Sequence, residues 1–480
     1  MREIARLLLP SVRWDPARGM AAMRPGVERA IDAGVGGFVL DPMPVAGAGE
    51  LTAFIRQRAD EAPLLVIDPA TLDEHPGAAV GFSLPPPAAL ASLRDTHAVR
   101  RAARATARAV RRTGCNAILG PSCDVAGAPR TDAFSADPSA VALAASEWID
   151  AAQSDGVLCI AGTFPGEGRV RDHVDAMPVV RVPEDALYAS DLVPYRAVID
   201  TGVAGVAMSS AAYPVLEPSG IPAALSARII TRVLRGELGF DGLVVADSAV
   251  METRAQRAVS ARELVHAGVD LVLRTSRLDV DLRALLDGLQ DGELDRERVH
   301  DAARRRRERA ELAGAPLPID ATLHEDSAWL DELAERTIAV VRGRAVRPEP
   351  PIEVVVVSES RVDRGAVVRS FADGIAQAGG DAAAVRHVHI PTASSRPPLV
   401  VVAVPSGRVA APDLETGGRI ASELASVGSA ARRARRSIAV VWCGHPVAPP
   451  AAADADLVIA CWNASASMLR AAGRWMMRRV

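Results

Sequence analysis

The sequence predicts a closed (β/α)8 barrel followed by a smaller α/β domain, and three features lead there. At 480 residues the chain exceeds the length at which one hydrophobic core stops growing, so two domains are expected. Short runs rich in Val, Ile and Leu alternate with segments of helical periodicity through the N-terminal part, the pattern of a parallel sheet covered on both faces. A helix stop and a proline-rich stretch then separate that part from a second α/β series.

The apolar runs fall at residues 7–9, 36–40, 64–67, 117–119, 157–160, 205–208, 243–246 and 271–273, and a count of eight favours closure into a barrel. An open doubly wound sheet shares the alternation and is the structural alternative. Helical periodicity is plainest at 98–112, 139–153, 186–201 and 227–236, each long enough for a crossover helix. The arginine-rich helix at 300–311 stops at Leu312-Ala-Gly-Ala-Pro-Leu-Pro, which sets the barrel domain at 1–315. Residues 316–351 read as a linker with one helix, 328–339, ending on the proline-rich 347–351. The C-terminal α/β domain, 352–480, has buried strands expected at 352–357, 399–404, 438–441 and 457–460, with helices near 366–378, 417–431 and 464–479.

Composition narrows the chemistry. Hydrophobic residues at 49% and charged residues at 24% match soluble globular proteins, so disorder is not the general state. With a net charge of −4 and arginines spread along the chain, there is no basic footprint for nucleic acid. The run Arg304-Arg305-Arg306-Arg307 reads as the solvated face of a helix rather than a phosphate-binding patch. The chain contains no lysine, which excludes a Walker-type phosphate loop and a lysine Schiff base. Five cysteines without a Cys-x-x-Cys pair argue against a disulfide framework and a structural zinc site. The apolar run at the N-terminus is too short for a signal peptide and no later stretch is long enough to span a membrane, so a cytoplasmic protein without a membrane partner is expected.

Barrel active sites lie at the C-terminal ends of the strands, so polar residues just after each apolar run are the candidates. These are Asp68, Asp124, the loop Thr163–Asp175, Ser209, Ser210, Asp247 and Arg274. Asp247 follows Gly242-Leu-Val-Val-Ala, where it can serve as a nucleophile or as the N-cap of the next helix. Asp68 can bind a ligand's hydroxyls or close a turn before Pro69. The loop is long, polar and glycine-punctuated, and in it Asp172 directly precedes His173, a pairing that can tune proton transfer; a lone surface histidine is the alternative.

Several stretches carry a family likeness. Pro222-Ala-Ala-Leu-Ser, with Val233-Leu-Arg-Gly-Glu-Leu-Gly-Phe-Asp-Gly-Leu-Val-Val-Ala-Asp-Ser-Ala-Val-Met, closely resembles the nucleophile signature of glycoside hydrolase family 3, especially its bacterial β-N-acetylglucosaminidases. Phe164-Pro-Gly-Glu-Gly is similar to the family's Phe-Pro-Gly-His-Gly loop, and Asp191-Leu-Val-Pro-Tyr-Arg to the segment after it. Val66-Ile-Asp68, the turn Phe134-Ser-Ala-Asp-Pro138 and Ala439-Val-Val-Trp-Cys-Gly-His-Pro extend the likeness over most of the chain.

The resemblance implies a retaining exo-β-glycosidase of β-N-acetylhexosaminidase type, with Asp247 as the nucleophile of a glycosyl-enzyme intermediate. It implies a carbohydrate substrate, a small β-glycoside or amino-sugar glycan, and neither metal nor organic cofactor. The acid/base would be the dyad Asp172 and His173, with Glu167 the alternative, and sugar contacts would come from Asp68, Arg130, Asp132 and Thr163. Departures concentrate around those contacts. Gly162-Thr163 stand where the family has Lys-His, Glu167 replaces the loop histidine, and Asp172-His173-Val174 takes the place of Asp-Ser-His. Pro-Ala-Thr-Leu follows Asp68 instead of Gln-Glu-Gly-Gly, and Asp132 stands for the arginine of Arg-Ser-Phe, with Arg130 nearby. A catalytically impaired barrel that binds a glycan or a protein partner is therefore the competing expectation, and a phosphorylase a third.

Overall fold

A computed structural model describes the chain apart from residues 1, 16, 42, 69–83, 171–176, 256, 319–323, 345–347, 360–361, 389–396, 406–416, 448–454 and 479–480. Two compact units divide it: Met1–Gly81, Val99–Gly127 and Ser135–Leu323 form one, and Phe82–Ala98, Ala128–Phe134 and His324–Val480 the other. Two short segments inside the barrel stretch, 82–98 and 128–134, thus group with the C-terminal unit.

In the first unit eight parallel strands close on themselves. They are β1 (Leu8–Val12), β2 (Gly37–Leu40), β3 (Leu64–Ile67), β4 (Ala117–Ser122), β5 (Leu158–Phe164), β6 (Gly205–Met208), β7 (Leu243–Asp247) and β8 (Leu271–Thr275). Each expected apolar run lies within or overlaps one of these strands, and β8 returns to β1, which decides for the barrel over the open sheet. The main crossover helices are α1 (Met20–Ala33), α2 (Val45–Arg58), α3 (Thr96–Arg112), α4 (Pro138–Ser154), α5 (Val193–Asp200), α6 (Arg228–Glu237), α7 (Ser248–Ala255) and α8 (Ala261–Ala267). After β8 come α9 (Leu278–Gln290) and α10 (Arg296–Leu312). Successive strand residues point to opposite faces, so Leu64 with Val66, Leu158 with Ile160, Leu243 with Val245 and Leu271 with Leu273 meet in one buried cluster, with Ala117 and Ala204 beside them. Filled in this way, the barrel is a packed core and leaves chemistry to its rim.

At the N-terminal end of β8 sits Asp270, its side chain fully buried. Arg235 of α6 approaches at 2.7 Å, Arg298 and Arg305 of α10 at 2.9 and 3.1 Å, and the amide of Val244 donates to the same carboxylate at 2.9 Å. Arg306, 1% exposed, donates to the carbonyls of Gly36 and Ala62 at 3.1 and 2.8 Å and is salt-bridged to Glu61. The arginine run is therefore not one solvated face. Arg304 pairs at the surface with Asp301 and Glu308 and Arg307 is exposed, but Arg305 and Arg306 turn inward, because the 3.6-residue period sends neighbours to different sides. Burial pulls both Arg235 and Arg306 below the ordinary arginine range, and the carboxylates beside them oppose that shift.

The second unit contains α11 (His324–Arg336), β9 (Ala339–Gly343), β10 (Ile352–Ser358), α12 (Arg364–Gln377), β11 (Val385–His387), β12 (Leu399–Val404), α13 (Gly417–Arg433), β13 (Ile438–Trp442), β14 (Leu457–Ala460) and α14 (Ala466–Arg478). Its sheet runs β11-β10-β12-β13-β14-β9, parallel except for β9. Val354 and Val356 of β10 enter the core on one face, Val355 and Val357 the core on the other, so the sheet is covered on both sides. The helix expected at 328–339 ends instead at Arg336, and Ala339 opens β9; Ile338, Val340 and Val341 are β-branched residues that favour extended chain. The three-residue β11 was too short to leave a periodic signal. No helix among the described residues is long and apolar enough to cross a membrane.

Replacing Asp270 by Asn should lower unfolding free energy by up to about 3–5 kcal/mol, the cost of breaking a buried ion pair, with the partial exposure of the three arginines reducing it. Urea unfolding of the Asp270→Asn variant checks this, and a loss under 1 kcal/mol, about the worth of a surface pair, would show the cluster to be ornamental.

Candidate active site

Asp247 is the last residue of β7 and so stands at the rim where barrel enzymes carry their chemistry. Its Oδ1 accepts hydrogen bonds from the amides of Ala249 and Val250 at 3.0 and 3.1 Å, the N-cap interaction of α7. Its Oδ2 is salt-bridged to Arg274 Nη1. The cap anticipated from sequence thus exists, and it uses only one carboxylate oxygen.

Arg274 lies on β8 with φ +53°, a left-handed conformation rare for residues other than glycine. Its Nη2 lies 3.3 Å from Asp68 Oδ2 beyond β3, and its Nε lies 3.9 Å from Asp41 Oδ1 beyond β2. The side chains of Arg274, Asp247 and Asp68 are 17%, 18% and 23% exposed, so their attraction is stronger than it would be in open water. Burial alone would lower Arg274, but Asp247, Asp68 and Asp41 outweigh it and raise the guanidinium above its ordinary value. Ser248 Oγ completes the joint by donating to the carbonyl of Leu273 at 3.1 Å.

The described start of the loop after β5, residues 165–170, is held by contacts to neighbouring elements. Glu167 N donates to Asp124 at 2.7 Å, Glu167 Oε1 accepts from Ser209 Oγ at 2.6 Å and from the Ser210 amide at 3.1 Å, and Oε2 accepts from Arg254 at 2.8 Å. Tyr213, whose hydroxyl burial pushes well above the ordinary tyrosine range, donates to the carbonyl of Gly166 at 2.7 Å. A Cβ at Gly168 would stand 1.9 Å from the carbonyl oxygen of Val125, so only glycine fits there. Arg169 closes the segment onto the fully buried Asp191, with Nη2 at 3.1 Å.

Asp247 and Asp68 are thus brought together through Arg274, while Glu167 accepts from residues after β6 and on α7. Thr163 is the penultimate residue of β5 and half-buried. Arg130 and Asp132 pair with each other at 2.6 and 2.9 Å and belong to the second unit. Asp172 and His173 lie outside the described residues. Sequence reasoning gave no role to Asp41 or Arg254. Asp41 directly follows β2 as Asp68 follows β3, and Arg254 stands seven residues, two helical turns, after Asp247, so strand-end position and helical spacing were the available signals.

A strand-end carboxylate in salt bridge at the rim of a closed (β/α)8 barrel defines a barrel with enzyme-like architecture. The family model described as glycosyl hydrolase family 3 N terminal domain matches residues 19–307, and the chain belongs to that family. It is 31% identical over 293 residues to a beta-N-acetylglucosaminidase/beta-glucosidase of Cellulomonas fimi, covering 56% of this chain and 51% of that protein. It is 37% identical over 182 residues to a beta-hexosaminidase of Xanthomonas campestris pv. campestris, covering 36% of this chain and 54% of that one. The aligned parts thus span about half the length of these relatives. Among solved structures, a glycoside hydrolase family 3 beta-N-acetylglucosaminidase from Paenibacillus sp. str. FPU-7 shares the fold with TM-score 0.82 at 22% identity, covering 100% of this chain and 96% of that one. A beta-glucoside phosphorylase does so with TM-score 0.78 at 16% identity, covering 100% and 91%.

Held by Ser209, Ser210 and Arg254, Glu167 is expected to act as a positioning group. Glu167→Ala should lower stability by about 1–3 kcal/mol by stranding Ser209 and Arg254, measured by thermal unfolding. Any accompanying rate loss on aryl glycosides should be the same for good and poor leaving groups, whereas a loss confined to poor ones would identify a proton donor.

Proposed function

We propose that the chain is a retaining exo-acting β-glycosidase of β-N-acetylhexosaminidase type that works through a glycosyl ester on Asp247. The observation that carries this reading is the Asp247 carboxylate at the end of β7, with one oxygen on the helix cap and the other paired with Arg274. Support comes from family membership and from relatives named beta-hexosaminidase and beta-N-acetylglucosaminidase/beta-glucosidase. In the first half-reaction Asp247 attacks the anomeric carbon while an acid protonates the departing oxygen; in the second, water releases the sugar with retained configuration. The acid/base is assigned to the dyad Asp172 and His173 on the strength of the sequence, since Glu167 already accepts from Ser209, Ser210 and Arg254.

Asp68 is the residue we assign to the sugar hydroxyls. Its Oδ2 meets Arg274 Nη2 at 3.3 Å, and an ionised carboxylate accepts several hydrogen bonds, so a sugar hydroxyl can be accepted alongside the arginine. Arg130 and Asp132 satisfy each other, which weakens their case as sugar ligands.

A panel of aryl β-glycosides with activated phenol leaving groups tests the nucleophile without demanding a strong acid. The native chain should release phenol, fastest from the N-acetyl-β-glucosaminide, and Asp247→Asn should reduce the rate about a thousandfold or more. No release from any sugar would favour a glycan- or partner-binding barrel, in which Asp247 survives as a helix cap and salt-bridge partner. Acceleration by inorganic phosphate with formation of a glycosyl phosphate would make it a phosphorylase.

A further inference from the structure

Arg274 meets the one oxygen of Asp247 that α7 does not use: Oδ1 carries the two backbone hydrogen bonds, and Oδ2 faces the guanidinium. Asp68 at 3.3 Å and Asp41 at 3.9 Å hold that guanidinium from other sides. The side chain reaches this place from a left-handed backbone, φ +53°, a conformation that persists where the surroundings over-determine it and that clusters at functional positions. A cation so placed acts differently on the two halves of a double displacement, because Asp247 is nucleophile in one and leaving group in the other.

Resting on the reading of Asp247 as nucleophile, we propose that Arg274 is a catalytic residue of the second half-reaction, where it stabilises the departing Asp247 carboxylate. In the first half, Oδ2 bonds to the anomeric carbon, the aglycone oxygen leaves with its electron pair, and that oxygen takes a proton from the acid. The carboxylate loses charge on the way, so a guanidinium paired with it stabilises the ground state more than the transition state and slows ester formation. In the second half, water attacks the same carbon and gives its proton to the group that had served as acid. The carbon–Oδ2 bond breaks and its electron pair returns to Asp247. Negative charge now grows on the oxygen that faces Arg274, and a cation already fixed by Asp68 and Asp41 stabilises it without reorganising.

The consequence is a split between kinetic constants. With a 2,4-dinitrophenyl β-glycoside that the native chain turns over, Arg274→Met should lower kcat about 10- to 100-fold, the range of one charge-assisted hydrogen bond. KM should fall with it, so that kcat/KM is kept or raised, and a glycosyl adduct on Asp247 should accumulate, read by stopped-flow burst and intact mass. Arg274→Lys should restore part of kcat, since it keeps the charge in a different geometry. Equal losses of kcat and kcat/KM without an adduct, in both variants and with a lowered melting temperature, would mean a structural role and overturn the proposal. Unchanged kinetics in Arg274→Met beside an active native chain would overturn it while leaving Asp247 as nucleophile. A native chain that releases no phenol from any sugar would remove the reading of Asp247 and this inference with it.

Discussion

The two ends of a single strand, β8, are flanked by the two charge clusters around which the barrel is organised. Just before it, Asp270 draws in Arg235, Arg298 and Arg305, and four residues later Arg274 draws together Asp247, Asp68 and Asp41. The first cluster is an anion among cations at the N-terminal end, the second a cation among anions at the C-terminal rim. Both follow from what a parallel barrel does to polar groups: its interior is filled by side chains such as Val245 and Leu271, so charge is confined to the two ends and must be neutralised there. In a chain without lysine, each cationic partner is a planar fork of donors that can span two or three acceptors at once.

The rim cluster shows why a structural role and a chemical role for Asp247 are compatible. A carboxylate has two oxygens, and this one divides them, with Oδ1 fixing the start of α7 and Oδ2 facing Arg274. The cap sets the position of the side chain and the salt bridge sets its charge environment. The loop after β5 is organised on the same economy of donors and acceptors. Glu167 takes hydrogen bonds from two serines that follow β6 and from Arg254 on α7, so the stem of the loop and the helix that Asp247 caps are tied to each other. A neutral histidine could accept only one such bond at a time, whereas the Glu167 carboxylate accepts from Ser209, Ser210 and Arg254 together.

By itself the sequence determined the fold class, a closed barrel followed by a smaller α/β domain, and the position of Asp247 at a strand end, while β9 lies in the stretch read as a linker and β11 left no signal. Parallel strands covered on both faces are near-continuous apolar runs, and such runs as Leu243-Val-Val-Ala are legible without any partner in view. The same rule located Asp68 and Asp247 at strand ends, because strand-end placement is local. What the tertiary structure alone decided was which of these residues meet. Arg274 lies 206 residues from Asp68, and no periodicity connects them; only closure of β8 onto β1 brings the two within reach. The inward turn of Arg305 and Arg306 was hidden for a related reason: a run of four identical residues reads as one surface, and the carbonyls and carboxylates that select two of them belong to distant segments. Local pattern fixes where a side chain starts, and pairing of charges across the fold fixes what it does.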